Sequence, residues 1–286
     1  MKVALSELYN IYSPSILSFK EKKIMLMGGW LNENDYAADD KIYYSEYDGK
    51  SWKKPILSFE KKGYLINDPS VIQPPSSDGI NRSEWLYMYY TMLDYNTNYE
   101  NPTKGNIIGM ASSVDGGKTW TDRGIVIDLN NGYNDCGAWS PSAIVKDDEI
   151  WIYYHGNDEC FVSKFLTKLK LNGIEKIETQ MLSIHDLAVN VNVVYRNGIF
   201  YMTANSPDEK NIYLYLSYDG INWGTEPFET LIVAGENFIV TPELDFINDT
   251  QFDLYFGYST IDNMNHDSIH GWRFQINETK IVNIFS

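Results

Sequence analysis

The chain has 286 residues, 43% of them hydrophobic, and a formal net charge of −16 at pH 7. That length and apolar content suit a folded protein with a substantial core and exclude a disordered chain. The negative balance, with no cluster of Lys and Arg, argues against nucleic acid or an anionic membrane as a partner, and no apolar run approaches the ~18 residues of a membrane-spanning helix.

The N-terminal MKVALSELYNIYS has too short an apolar stretch for a signal peptide, so a cytoplasmic location is expected for the chain as given, secretion requiring a leader already removed. YSPSIL then KIMLMGGW (12–30) and KIYYSEY (41–47) read as strands, closed by the turn YDGKSW (47–52). The order repeats with NDPSVI then WLYMYYTM (67–92), NIIGMASS (106–113) and VDGGKTW (114–120), interrupted by long loops at 73–83 and 93–105. WSPSAI then EIWIYYHG (139–156) starts a third unit, whose turn is the NG at 172–173. VNVNVV then GIFYMTAN (189–205), NIYLYLSY (211–218) and YDGINW (218–223) make a fourth. VTPELDF then FDLYFGYS (240–259) starts the last, ending in KIVNIF. Cys136 and Cys160 have no metal-type spacing and read as free thiols. The sequons at 248–250 and 277–279 carry little weight without an export signal.

Two signals therefore interleave. One is a hairpin tip in which Asp and Gly supply side-chain bonding and positive φ, and Trp begins the return strand. The other is an opening segment, proline-containing in four of the five units, followed by an aromatic strand. Four antiparallel strands repeated five times predict an all-β fold, a five-bladed β-propeller over 1–286. The blades fall at about 12–58, 67–128, 139–188, 189–233 and 239–286, and MKVALSEL beside KIVNIF is expected to close the ring. The first strand of a propeller blade lies nearest the axis. Aligned openings bring Ser13, Asp68, Ser140, Asn190 and Thr241 there, with Ser15, Ser70, Ser142, Asn192 and Glu243 two residues later on the same face.

SSVDGGKTW (112–120) also fits the S-x-D-x-G-x-x-W Asp-box, and so resembles the structural hairpin repeat of sialidases and related propellers. The openings as a set, and NDPSVI above all, resemble the five-bladed glycoside hydrolases of family 43 and their relatives in family 32. The resemblance covers essentially the whole chain and is specific at Asp68, which it implies to be a general base. It further implies an acid-tuning Asp at the next opening, where Ser142 stands, and an acidic Glu one blade on, where VNVNVV has none.

Glu243 is the next carboxylate at such an opening and pairs with Asp68 in the expected catalytic set, joined by His155 at the end of an aromatic strand. Asp94, Asp135, Asp158 and Asp186 lie on loops or strand ends near the same mouth. Trp139 and Trp30 are expected to stack on sugar, with Ser140, Ser142, Asn190 and Asn192 as polar contacts. His185, His266 and His270 could contribute, but the HDSIH spacing is a poor zinc pattern; no metal and no cofactor are expected. Sialidase chemistry is not expected, since Arg82, Arg123, Arg196 and Arg273 occupy no opening.

The expected function is a carbohydrate-active enzyme, glycoside hydrolase-like, cleaving or transferring a glycosyl unit in an axial cavity with Asp68 as base or nucleophile. The partner would be a carbohydrate or other small polar substrate. Two readings compete with it. One is a non-catalytic propeller that binds a glycan or protein partner; the other is isomerisation, elimination or transfer in the same cavity with His155 as base.

Overall fold

The computed structural model describes residues 2–6, 9–19, 21–31, 40–75, 84–94, 105–129, 137–158, 161–184, 188–260, 267–277 and 280–283. β1 (Lys2–Leu5) precedes the first blade, which is β2 (Asn10–Phe19), β3 (Lys22–Trp30), β4 (Lys41–Glu46) and β5 (Ile56–Phe59). Blade 2 is β6 (Tyr64–Ile72), β7 (Leu86–Asp94), β8 (Ile107–Ser113) and β9 (Thr121–Ile127). Blade 3 is β10 (Gly137–Lys146), β11 (Glu149–Asp158), β12 (Phe161–Lys170) and β13 (Lys176–Met181). After β14 (Ser183–Ile184), blade 4 takes β15 (Val189–Arg196), β16 (Ile199–Asn205), β17 (Asn211–Ser217) and, past β18 (Asn222–Gly224), β19 (Glu229–Val233). Blade 5 is β20 (Phe238–Phe246), β21 (Gln251–Ser259) and β22 (Ser268–Asn277), with β23 (Lys280–Asn283) on its edge. The protein is the five-bladed propeller that the repeats predict.

The aromatic excess is spent between blades. Five apolar clusters each join the facing sides of two neighbouring blades, as where Phe19, Ile24 and Tyr44 of blade 1 meet Leu86, Met88 and Tyr90 of blade 2. A wedge widening from the axis needs large side chains, and rings fill it with few rotatable bonds. The hairpin tips form as expected: Asp48, Asp115 and Asp219 each accept two backbone N–H groups of their own turns. At the last of these Gly220 has φ of 73°, and a Cβ there would lie 2.5 Å from the Tyr153 hydroxyl. The returning Trp223, however, sits in β18, which pairs with β14 in parallel, and the outer strand of blade 4 comes later.

The five openings share one backbone device. Ser13, Asp68, Ser140, Asn190 and Thr241 all have φ between 45° and 49°, and at each the first strand carries one residue more than its partner. This is a β-bulge with a left-handed residue, which short polar side chains tolerate best. The proline that follows in four blades lacks the N–H that the bulge would leave outside the ladder. The bulge, rather than plain alternation, turns both the opening residue and the residue two later toward the axis, where all of them but Ser15 line a chamber of about 30 Å³.

Below that chamber the blades are linked in a closed ring. Ser15, Ser70, Ser142, Asn192 and Glu243 each accept the backbone N–H three residues past the opening of the next blade: Val71, Ala143, Val193, Leu244 and Ile16, at 2.8–3.0 Å. The chain closes on itself a second time at the edge. β1 pairs with the start of β22 (Ile269 to Gly271) and β23 with its end (Phe274 to Asn277), so the two chain ends share one outer-strand position rather than pairing with each other.

Candidate active site

Above the chamber the axis opens into a cavity of about 310 Å³. Its floor is Asp68 with Ser140, Asn190 and Thr241, and its walls include Tyr12, Trp30 and Trp139. The Asp68 carboxylate is held on both oxygens: Ser13 Oγ donates to Oδ1 at 2.5 Å, Ser140 Oγ to Oδ2 at 2.9 Å and Thr91 Oγ1 to Oδ2 at 3.2 Å. Thr91 accepts the Ser140 N–H at 2.8 Å, which leaves its own hydrogen for Asp68. Burial raises the Asp68 pKa and the three hydroxyls pull it back, since they favour the ionised form.

The structure brings Asp68, Ser140, Asn190, Trp30 and Trp139 together and separates the rest of the expected set. Glu243 is not across the cavity from Asp68. It belongs to the ring below, where Oε1 accepts the Ile16 N–H at 2.9 Å and Oε2 accepts the Asn192 amide. Burial pushes it up to about 8 against the pull of the Ile16 N–H. Ser142 and Asn192 are likewise spent on the ring, and none of the three lines the cavity.

His155 is also displaced from its expected place at the rim. It lies buried behind Trp139, ring stacked on ring at 5.7 Å, with no hydrogen-bond partner on either nitrogen among the described residues. Burial, assisted by the Lys164 charge, lowers its pKa to about 3, so it is neutral and out of reach of a substrate. His155→Phe, which keeps the stack and deletes two unpartnered nitrogens, is therefore expected to change stability by no more than about 1 kcal/mol, as read by thermal melting. Among the remaining candidates, Asp94 does not line the cavity and His270 is buried in β22. Asp158 ends β11, and Asp135, Asp186, His185 and His266 lie outside the described residues.

The carboxylates that do reach the cavity with Asp68 come from a position the openings do not reveal. Asp40, Glu209 and Asp267 all lie just before the third strand of a blade, as does Asn106 in blade 2. Each of these four residues gives its carbonyl to a backbone N–H of the next blade, two residues ahead of that blade's opening: Ile66, Ile239, Ile11 and Ala138 respectively, at 2.8–3.3 Å. The bond fixes the end of the loop at the rim, so its side chain faces inward. The signal was present as an acid at one repeat phase, in ADDKIYY, SPDEKNIYLYL and NHDSIHGW.

These acids differ in environment. Asp40 accepts the Tyr12 hydroxyl and, at 3.3 Å, the Asn67 amide. Asp267 is pushed up to about 7, chiefly by burial and then by the Glu209 charge. A cavity with one carboxyl that binds its proton near neutrality and another set among hydroxyl donors can serve as an acid and a base. No Lys or Arg lines the cavity among the described residues.

The family model for the glycosyl hydrolases family 32 N-terminal domain matches residues 59–251. Among solved structures, the chain is similar to an exo-1,5-α-L-arabinanase from a bovine ruminal metagenomic library, with 13% identity over 98% of both chains and a TM-score of 0.67. It is similar to RS223 β-xylosidase, at 14% identity, a TM-score of 0.72 and coverage of 98% of this chain and 97% of the other. A family GH43_1 enzyme from Xanthomonas citri gives 14% identity and a TM-score of 0.69, covering 99% of this chain and 93% of that one. No curated protein matches the sequence.

Proposed function

Because the chain belongs to the family defined by the glycosyl hydrolases family 32 N-terminal domain, we propose that it is a glycoside hydrolase whose reaction takes place in the cavity over Asp68. The observation that carries this reading is Asp68 itself: of five openings with the same left-handed backbone, only this one bears a carboxylate, and three hydroxyls are aimed at it. The bulge does not require an acid, since Ser, Asn and Thr serve the other four blades.

Hydrolysis of a glycoside needs one carboxyl that gives a proton to the leaving oxygen and one carboxylate that activates water or attacks the sugar. Asp68 takes the second role, as base or nucleophile. Asp267 takes the first, because burial and Glu209 keep it protonated up to about pH 7. Trp30 and Trp139 offer apolar faces to the sugar. Glycosides of arabinose and xylose, the sugars of the similar enzymes, are the first substrates to try.

A carboxyl that must donate a proton works below its pKa and fails above it. Turnover is therefore expected to fall as pH rises through about 7, and Asp267→Asn is expected to be slow at every pH and to lack that alkaline limb. The measurement is a pH–rate profile on aryl arabinosides and xylosides for wild type, Asp68→Asn and Asp267→Asn. An Asp68→Asn protein with wild-type turnover would refute the reading.

A further inference from the structure

A second cavity, of about 180 Å³, lies between blades 2 and 3 at the end of the strands opposite the axial one. Strand β7 runs from one cavity to the other: Trp85, just ahead of it, and Tyr87 line the second, while Thr91 and Leu93 near its far end line the first. At ~3.3 Å per residue, Tyr87 stands roughly 13–20 Å from those two. The facing wall is the turn between β12 and β13, with Asn172 and Ile174. That turn is docked on blade 2. The Tyr89 hydroxyl donates to the Gly173 carbonyl at 3.0 Å, and Gly173, with φ of 80°, sits so close that a Cβ would lie 2.8 Å from Met110 Cε and 3.1 Å from the Tyr87 ring. The width of the cavity is therefore set before any ligand enters it.

Arg123 on β9 supplies the charge. Its Nε donates to Ser112 Oγ at 2.8 Å, which orients the guanidinium plane. The other two described arginines each hold a carboxylate, Arg196 that of Asp249 and Arg273 that of Asp253, whereas Arg123 has no ion pair among the described residues. Acids outnumber bases 39 to 23 in this chain, so a guanidinium kept clear of them calls for a reason. No Asp or Glu lines the cavity among the described residues. Both Nη groups are left, the pair that meets a carboxylate end-on. Ser112 Oγ accepts from Arg123 and keeps its own hydrogen for a further bond. Asn172 is already engaged, because its Oδ1 accepts the Ile174 and Glu175 N–H groups, and it serves as wall.

We propose that this cavity is a second binding site, for a sugar that carries a carboxylate: the acid group of a uronic acid residue meets Arg123, and the ring lies against Trp85 and Tyr87. The volume is below the ~300–1,000 Å³ of pockets that take drug-sized molecules, which suits a single sugar ring. Aromatic side chains offer apolar faces to the ring C–H groups. The two-point bond from guanidinium to carboxylate selects a charged sugar over a neutral one. The two cavities then divide the labour by charge, since the axial one has carboxylates and no Lys or Arg among its described residues. The choice of a sugar over another small carboxylate rests on the glycoside hydrolase reading; the preference for an anion rests on Arg123 alone.

The experiment is isothermal titration calorimetry on the full chain with three probes: methyl β-glucuronide, methyl β-glucoside, in which a hydroxymethyl group replaces the carboxylate, and acetate. Wild type is expected to bind the glucuronide about tenfold or more tightly than either of the others. Arg123→Gln, an exposed substitution that can keep a bond to Ser112, should melt as wild type does and lose about tenfold or more in glucuronide affinity. Asp68→Asn should bind the glucuronide as wild type does. Equal affinity for glucuronide and glucoside, or equal glucuronide affinity in wild type and Arg123→Gln, overturns the proposal. So does binding that disappears in Asp68→Asn, which would place the sugar in the axial cavity. Acetate bound as tightly as the glucuronide overturns the assignment to a sugar. Failure of the hydrolase reading is separate: no glycoside would be turned over while binding that depends on Arg123 persisted.

Discussion

Asp68→Asn is expected to fold to the wild-type structure and to lose turnover by about 10³-fold or more, the scale set by removing a base or nucleophile. The fold survives for reasons visible at the site. Asn tolerates the left-handed backbone at φ of 45° better than most residues. Its oxygen still accepts Ser13, and its new N–H₂ meets the Ser140 hydroxyl, which can turn its own hydrogen to Asn190 Oδ1 at 3.2 Å. The loss therefore falls on chemistry, because the amide neither removes a proton from water nor attacks a sugar. Circular dichroism and thermal melting should match wild type while hydrolysis of aryl arabinosides and xylosides disappears. Loss of both together would instead make Asp68 a structural residue.

Glu243→Ala should show the reverse pattern. It leaves the Ile16 N–H and the Asn192 amide without their acceptor inside the seam between blades 5 and 1. Two orphaned buried donors cost about 1–3 kcal/mol each, which for a chain of this size lowers the melting temperature by several degrees, on the order of 10 °C. The molecules that remain folded should turn over near the wild-type rate. A catalytic Glu243 would give the opposite result, with normal melting and no turnover. Its pH dependence has a definite sign. The native carboxyl, raised to about 8 by burial, binds its proton more tightly than the unfolded chain does. Its contribution to stability is present below about pH 4 and is lost as pH rises toward 8. Melting measured across that range should fall more steeply in wild type than in Glu243→Gln.

The contrast between these two residues shows what the sequence could and could not convey. Repeat order, turn chemistry and aromatic strands are local properties, so the propeller, its five blades and the axial place of Asp68 were all legible. Glu243 was legible as an axial residue but not as a structural one. Whether a carboxylate faces substrate or closes a ring depends on which N–H groups of a distant blade meet it, and Ile16 lies 227 positions away. His155 was misplaced because the same alternation that brings a side chain to the axis also carries it behind Trp139. Asp40, Glu209 and Asp267 were missed because their inward aim comes from carbonyl bonds to the next blade: the acid recurring at one repeat phase was legible, but the main-chain bonds that turn it toward the axis were not.

The five-link ring also sets how the protein comes apart. In an open array of repeats the terminal unit has one neighbour, so fraying starts there and spreads inward. Here each blade donates to one neighbour and accepts from the other, and the Glu243 to Ile16 link leaves no blade at an end. Releasing any single blade breaks two links and exposes two apolar wedges at once. Native-state hydrogen exchange at the linking amides should therefore proceed through one shared, global opening, and proteases should find the chain cut only where loops project beyond the ring.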